Sequence, residues 1–454
     1  MEKLTVNILS FGAKPNTEEL QTEYIQAAID HCASLGGGEV QIPEGEFITG
    51  DIRLRSNITL HLLKNAKLLG SLNPKDYLHI FDDTVDPIPE KTMYHWIPVH
   101  KRNCEQGYHH LDTAGSYWNY GLIRAVNAEN IAIIGEEGSL LDGRNCYDEE
   151  GENNFRGPHC INMHYCKNLT FSGYTIMHSA NWAHAIFSCE NLKFDNVTVL
   201  AGHDGIHVRK CDNVEIKNCV LKTGDDCLAG FDNYNVHVTD CTFNSACNAI
   251  RFGGQNILVE NSLFYGPCEY VFRGGIGKEG LKNNAETSEK ARKNLLAVYT
   301  YFIDCSIDIR RTPKNIVIRN CTVKNADRFL HLNLSGNEAW QKGFPPEDIT
   351  FENIKAEGVS KGSCAYGDGS VPFKIKMKNI DFTPRADFED VPFMRIGNYG
   401  SIELENVTVN KITADALIED YTAGGEIKIE NLTCDLPDDK IVVKTDKEFS
   451  VASI

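Results

Sequence analysis

Residues 189–222 read CENLKFDNVTVLAGHDGIHVRKCDNVEIKNCVLK, two near-copies of one short unit. The unit is Asn, an aliphatic residue, any residue, then an aliphatic or aromatic one. It recurs at Asn168, Asn191, Asn213, Asn235 and Asn256, in steps of 23, 22, 22 and 21 residues. Weaker copies begin at Asn57, Asn130, Asn315 and Asn379. A second alternating run follows in most copies, at Asn196, Asn218, Cys241, Asn261, Asn320, Asn353 and Asn406. Alternation with a period of two predicts strands rather than helices. Several short strands inside a repeat of roughly 20–25 residues predict a β-solenoid. The leucine and asparagine frame of a leucine-rich repeat is absent, so the expected fold is all-β: a single-stranded right-handed parallel β-helix. Asn suits its turns because it tolerates left-handed backbone.

The cysteines keep the same register. Cys166, Cys189 and Cys211 each precede a repeat Asn by two residues, and Cys219 and Cys241 lie 22 apart. They read as stacked, buried small hydrophobes. No CxxC pair is present among the 16 cysteines, which argues against structural zinc.

Residues 17–35 place Leu20, Tyr24, Ala28, Ile29 and Cys32 on one helical face. Asn16 and Glu19 resemble a capping box, and Gly36–Gly38 end the run. This helix is expected to cap the solenoid's open end. Segments 80–120 and 274–300 break the period and read as inserted loops. No linker divides the chain, so a single domain over 1–454 is expected.

Composition fits a globular chain, 42% hydrophobic and 24% charged, with a net charge of −18. Such acidity disfavours nucleic acid and anionic membranes as partners. The first residues, MEKLTVNILSFGAKPN, contain no long apolar run, so neither a signal peptide nor a membrane span is expected. Many cysteines without a signal point to reduced thiols in a cytoplasm. A homo-oligomer is compatible with the sequence.

Register also locates the chemistry. Ile206, Leu228, Ile250 and Phe272 are spaced by 22 and are expected to form one inward ladder, with His207, Ala229, Arg251 and Arg273 facing outward beside it. Asp204, Asp225 and Asp226 lie just before these strands, in GHDGIH and KTGDDCLAG. They are expected to share one groove with Arg251 and Arg273, with His203 and His184 close by. Mutual repulsion predicts a raised pKa on at least one carboxyl, as a general acid near neutral pH needs. The bland alternatives are ordinary Asp-Gly turns, or calcium, which would want further carboxylates from adjoining coils. Trp96, Tyr117, Trp118, Tyr120, Trp182 and Trp340 concentrate in the irregular regions, where aromatic faces either stack on sugar rings or anchor loops.

These motifs carry a family resemblance. The opening SFGAKPN…QAAIDHCASLGGGEVQIPEGEFITGDIRLRSNITLHLLKNAKLLGS, then YGLIRAVNAENIAIIGEEGSLLDG, Arg156-Gly157-Pro158 and Ser179-Ala180-Asn181-Trp182 resemble glycoside hydrolase family 28, the polygalacturonases and their relatives. So do His203-Asp204-Gly205, against that family's Asn-Thr-Asp-Gly, and Gly224-Asp225-Asp226-Cys227. The resemblance spans roughly residues 5 to 265. It implies a β-helix and inverting hydrolysis without metal or organic cofactor. Asp225 would be the general acid, and Asp204 and Asp226 would hold and deprotonate the attacking water. Two departures stand out. The family's Gly-His-Gly reads Cys247-Asn248-Ala249-Ile250-Arg251 here, with Asn248 nearest the lost histidine, and the Arg-x-Lys that reads the galacturonate carboxylate is not intact. Arg251 and Arg273 either fork a substrate carboxylate or satisfy neighbouring aspartates. His203, His207 or His184 would replace the missing histidine, with Trp182 also in contact with substrate. Long loops predict exo-action, removing a terminal sugar (galacturonic acid or related) from a pectic or other plant oligosaccharide. Two alternatives remain at this stage: a β-elimination lyase using Arg251 or Arg273 as base, and a non-catalytic carbohydrate-binding solenoid.

Overall fold

The computed structural model describes residues 4–78, 120–303, 309–336, 341, 343–422 and 424–445. The loop expected at 80–120, apart from Tyr120, lies outside them, as do Trp96, Tyr117, Trp118 and Trp340. The chain forms a parallel β-helix, right-handed as crossovers between parallel strands are. Among the described residues two compact units are distinguishable, one holding 4–78, 120–225 and 270–291, the other holding 226–269 and those from 292 onward.

Between residues 161 and 223 each coil pairs with the coil 22 or 23 residues away. Strand His184–Phe187 pairs with Ile206–Arg209, with His184 opposite Ile206 and Ala185 opposite His207. Lys167–Ser172, Glu190–Asp195 and Asp212–Lys217 form a second parallel row, aligning Leu169, Leu192 and Val214 in the core. The repeat asparagines take left-handed φ throughout: 57° at Asn168, 60° at Asn191 and at Asn213, and 64° at Asn57. Their amides bond from coil to coil, Asn191 Nδ2 donating to Asn168 Oδ1 at 2.9 Å and Asn213 Nδ2 to Asn191 Oδ1 at 3.0 Å. The period therefore arises where a short side chain must both accept φ > 0 and bridge turns. Cys166, Cys189 and Cys211 are buried free thiols, as their register predicts.

The terminal helix is shorter than expected, Thr22–Ser34. Asn16 does not cap it. With φ at 60°, its Oδ1 accepts from Glu46 N instead. The buried stripe is Ile25, Ala28, Ile29 and Cys32, while Leu20 and Tyr24 are exposed. The helix lies against strands Thr5–Asn7, Gly38–Ile42 and Ile58–Leu62.

The second unit continues the pattern through strand Val442–Lys444. Its inner ladder runs Leu228, Ile250, Tyr299 and Leu330. Phe272 is not in it. The 22-residue spacing to Phe272 is coincidental, because residue 272 precedes a 3-10 turn, Arg273–Gly275. That turn and the short helix Lys278–Lys282 make up the insertion, and residues 295–300 already belong to the regular strand Leu295–Tyr301.

Candidate active site

Asp204 sits in the bend before strand Ile206–Arg209, where a coil turns into its next strand. Its Oδ2 lies 2.6 Å from His207 Nδ1, and Arg209 Nε donates to His207 Nε2 at 2.7 Å. Arginine only donates, so His207 Nε2 accepts and the proton resides on Nδ1, pointing at the Asp204 carboxylate. Alternation along the strand puts His207 and Arg209 on one side, both fully buried. Trp182 stacks on the imidazole, with centroids 3.7 Å apart and planes at 13°, and on the Arg209 guanidinium at 5.1 Å.

Asp225 occupies the corresponding bend one coil on. Gly224 before it has no room for a side chain, since a Cβ there would collide with the backbone of Val271 and Gly202. The Asp225 carboxylate, 19% exposed, faces Arg156 Nη2 at 3.7 Å. Arg156 is delivered by an excursion from the coil. Strand Tyr147–Glu152 turns through Asn153 and Asn154, with φ of 53° and 61°, and residue 156 bridges back antiparallel to Glu152. Arg156 Nε thus lies 3.6 Å from Glu152 Oε1, and its Nη1 donates to Asn181 Oδ1 at 3.2 Å. Asn181 Nδ2 in turn donates to Glu152 Oε2 at 3.1 Å. Burial pushes the Glu152 carboxyl up to about 7 against the pull of Arg156 and Asn181.

In the second unit, Asp226 is 1% exposed. Its Oδ1 accepts from Asn248 Nδ2 at 2.7 Å and Asn248 N at 3.2 Å, and its Oδ2 is 2.6 Å from Arg251 Nε. Thr300 Oγ1 donates to Asn248 Oδ1 at 2.8 Å, which fixes the amide's orientation. The Arg251 guanidinium also rests on the Phe302 ring, 4.3 Å from its centroid.

A sequence model for glycosyl hydrolases family 28 matches residues 106–251. An exo-poly-alpha-D-galacturonosidase of Dickeya chrysanthemi is 46% identical over 424 residues, spanning 79% of this chain and 68% of that protein. The chain belongs to glycosyl hydrolases family 28. A probable polygalacturonase of Vitis vinifera is 26% identical over 411 residues, 86% of this chain and 76% of the relative. The fold matches the crystal structure of a hyperthermoactive exopolygalacturonase from Thermotoga maritima with a TM-score of 0.63 and 18% identity, covering 90% of this chain and 92% of that one. Glycoside hydrolysis is therefore its chemistry.

As a family 28 hydrolase, the protein departs from several sequence expectations. Its three aspartates are not unpartnered groups, because each has its own basic partner: Asp204 has His207, Asp225 has Arg156 and Asp226 has Arg251. Arg251 serves an aspartate, not an open groove. Asn248 spends its amide on Asp226 and Thr300. His207 is a buried prop for Asp204 rather than an outward contact. Trp182, 3% exposed, is a packed platform for His207 and not a free sugar-stacking face. His184 points into the core, where Tyr174 Oη and Gly205 O meet its ring nitrogens and burial lowers its pKa to about 4. Arg273 is not on a strand, and its stem instead lies over Gly202. Arg156 and Asn181 stand in the sequence only as members of the motifs Arg156-Gly157-Pro158 and Ser179-Ala180-Asn181-Trp182, with no role attached, and Glu152 and Arg209 belong to no motif. The contacts they make depend on the 147–156 excursion and on coil stacking, which the motifs themselves do not spell out.

The raised Glu152 pKa carries a stability prediction for this family 28 member. The native carboxyl holds its proton up to about pH 7, whereas the unfolded one releases it near 4.5. The native state thus binds the extra proton in that window, and stability falls as pH rises through it, by of order 3 kcal/mol. Glu152→Gln is expected to flatten the melting temperature between those pH values and to raise it at pH 8. Thermal melts of both proteins across that range check this.

Proposed function

We propose that this hydrolase is an inverting, exo-acting polygalacturonase-type enzyme that removes a terminal galacturonic acid or related sugar from pectic oligosaccharides. The observation that carries the reading is the separate support of each aspartate. Asp225, partly open and faced by Arg156, is assigned the general acid. Asp204, held by the His207 Nδ1 proton, and Asp226, held by Asn248 and Arg251, are assigned to ionised, water-activating roles. The pairing of Arg251 with Asp226 speaks against Arg251 as a lyase base. The names of the Dickeya and Thermotoga relatives support exo-action on galacturonan, as does the insertion after residue 269. A cytoplasmic site of action belongs to the same proposal, supported by the unbridged thiols of the described cysteines.

The test is the anomeric configuration of the sugar first released from α-linked oligogalacturonate, followed by proton NMR. A β-anomer appearing first is expected. An α-anomer appearing first would overturn the water-activating roles of Asp204 and Asp226, and an unsaturated product absorbing near about 235 nm, characteristic of β-elimination, would replace hydrolysis altogether.

A further inference from the structure

Arg156 stands between two carboxyls. Its Nη2 is 3.7 Å from Asp225 Oδ2 on one side, and its Nε is 3.6 Å from Glu152 Oε1 on the other. Both distances are longer than a hydrogen bond. The hydrogen bond from its Nη1 goes to an uncharged amide instead, Asn181 Oδ1 at 3.2 Å. We propose that Glu152 is a positioning residue for proton delivery by Asp225: acting through Asn181 and Arg156, it fixes the guanidinium beside the carboxylate that Asp225 becomes as it gives its proton to the leaving oxygen. The inference rests on the general-acid assignment of Asp225 above.

A second arginine of the same unit shows the contrast. Arg124 closes on Asp51 with two bonds, Nε to Oδ1 and Nη2 to Oδ2, the latter at 2.8 Å. An arginine so engaged holds its carboxylate ionised, whereas an acid has to carry a proton into the reaction. Arg156 is held off from that closure, yet it is near enough to offset the negative charge left behind when the proton departs.

What holds Arg156 there is traceable to Glu152. The Glu152 carboxyl is 9% exposed and takes two amide donors, Asn153 Nδ2 on Oε1 and Asn181 Nδ2 on Oε2, each at 3.1 Å. Asn181 is 1% exposed, and its Oδ1 also accepts from Trp182 N at 3.1 Å, which fixes the direction of its amide. The two arms of the excursion press together beside this chain of bonds: a Cβ on Gly151 would lie 2.0 Å from Arg156 O. The charged groups that reach Glu152 are Arg156 on the returning arm, Asp225 and Arg209. Burial outweighs them and pushes its carboxyl up to about 7, so below that pH it is uncharged. An uncharged anchor grips the guanidinium by geometry and leaves the cation's charge to Asp225.

The test is steady-state kinetics at pH 6 on two substrates, oligogalacturonate and an aryl galacturonide with an acidic phenol as leaving group. Glu152→Ala is expected to lower kcat on oligogalacturonate by about 10–100-fold, less than the about 10²–10⁴-fold worth of the acid itself, with KM little changed. On the aryl galacturonide, which needs no protonation, the loss should stay within about 3-fold. Glu152→Gln should recover most of the lost kcat, because a carboxamide has the shape of an uncharged carboxyl and its Oε1 still accepts from Asn181. If Glu152→Ala does not fold, Asn181→Ala cuts the same chain of bonds and should show the same split between substrates. Equal losses on the two substrates, or a Glu152→Gln protein no more active than Glu152→Ala, overturns the positioning role. Undiminished turnover of oligogalacturonate by Asp225→Asn overturns the general-acid assignment instead, so the two failures are distinguishable.

Discussion

Replacing Asp225 with asparagine is expected to lower kcat on oligogalacturonate by about 10²–10⁴-fold, the usual worth of a positioned general acid. The amide keeps the shape and loses the proton. The side chain is 19% exposed and its link to Arg156 is a loose 3.7 Å, so the melting temperature should hardly move. The acid's role can be isolated with the leaving group. An aryl galacturonide whose phenol departs without protonation needs no acid, so on that substrate the variant should lose far less. Equal losses on both substrates would show that Asp225 does not protonate the leaving group. Initial rates of released sugar and of released phenol, measured on the same preparations, settle it.

The second large effect is expected from Arg251→Met, and here stability moves with activity. Asp226 is almost wholly buried, and Arg251 Nε stands 2.6 Å from its carboxylate. Methionine keeps the length of the stem but removes the guanidinium that rests on Phe302 and pairs with Asp226, leaving the buried carboxylate its two bonds from Asn248 but not its cation. Breaking a buried pair from one side costs about 3–5 kcal/mol. The retained amide bonds place the expected loss near the lower end, about 3 kcal/mol. If Asp226 instead takes up a proton to escape this penalty, it loses the ionised form that the proposed water-activating role requires, and kcat is expected to fall. The double variant Arg251→Met with Asp226→Asn should melt higher than Arg251→Met alone, since the orphaned charge is gone, while remaining inactive. A double variant that melts no higher would mean the pair contributes by packing and not by charge.

The scaffold was legible because one residue type meets two demands at once. Asparagine in left-handed backbone, with an amide that reaches the next coil, can only recur at the coil's own length, and so the period reports the fold directly. Positions of the three aspartates followed from the same register. What register could not supply was depth. A 22-residue step to Phe272 matched the ladder numerically, yet the chain had already left the coil, and Tyr299 takes that place. Strand alternation assigned His207 outward correctly with respect to the coil's core, but an outward face covered by Trp182 is still interior. Helical spacing likewise picked Leu20 and Tyr24, although the helix starts at residue 22 and its stripe runs through Ile25. Glu152 and Arg209 act across sequence gaps that carry no motif.

The insertion has one more consequence. Its two ends are tied to each other, Cys268 N donating to Lys293 O at 2.7 Å, and the strand that follows, Leu295–Tyr301, resumes its pairing with Asn248–Glu260 as though nothing had intervened. The loop is therefore a cassette on a closed stem. Its distal part can lengthen or be exchanged without disturbing the register of the strands at its stem, whereas its first residues, Val271 against Gly224 and Arg273 over Gly202, are held to the coils that carry Asp204 and Asp225; diversification of what the enzyme accepts is thus confined to the far side of the cassette.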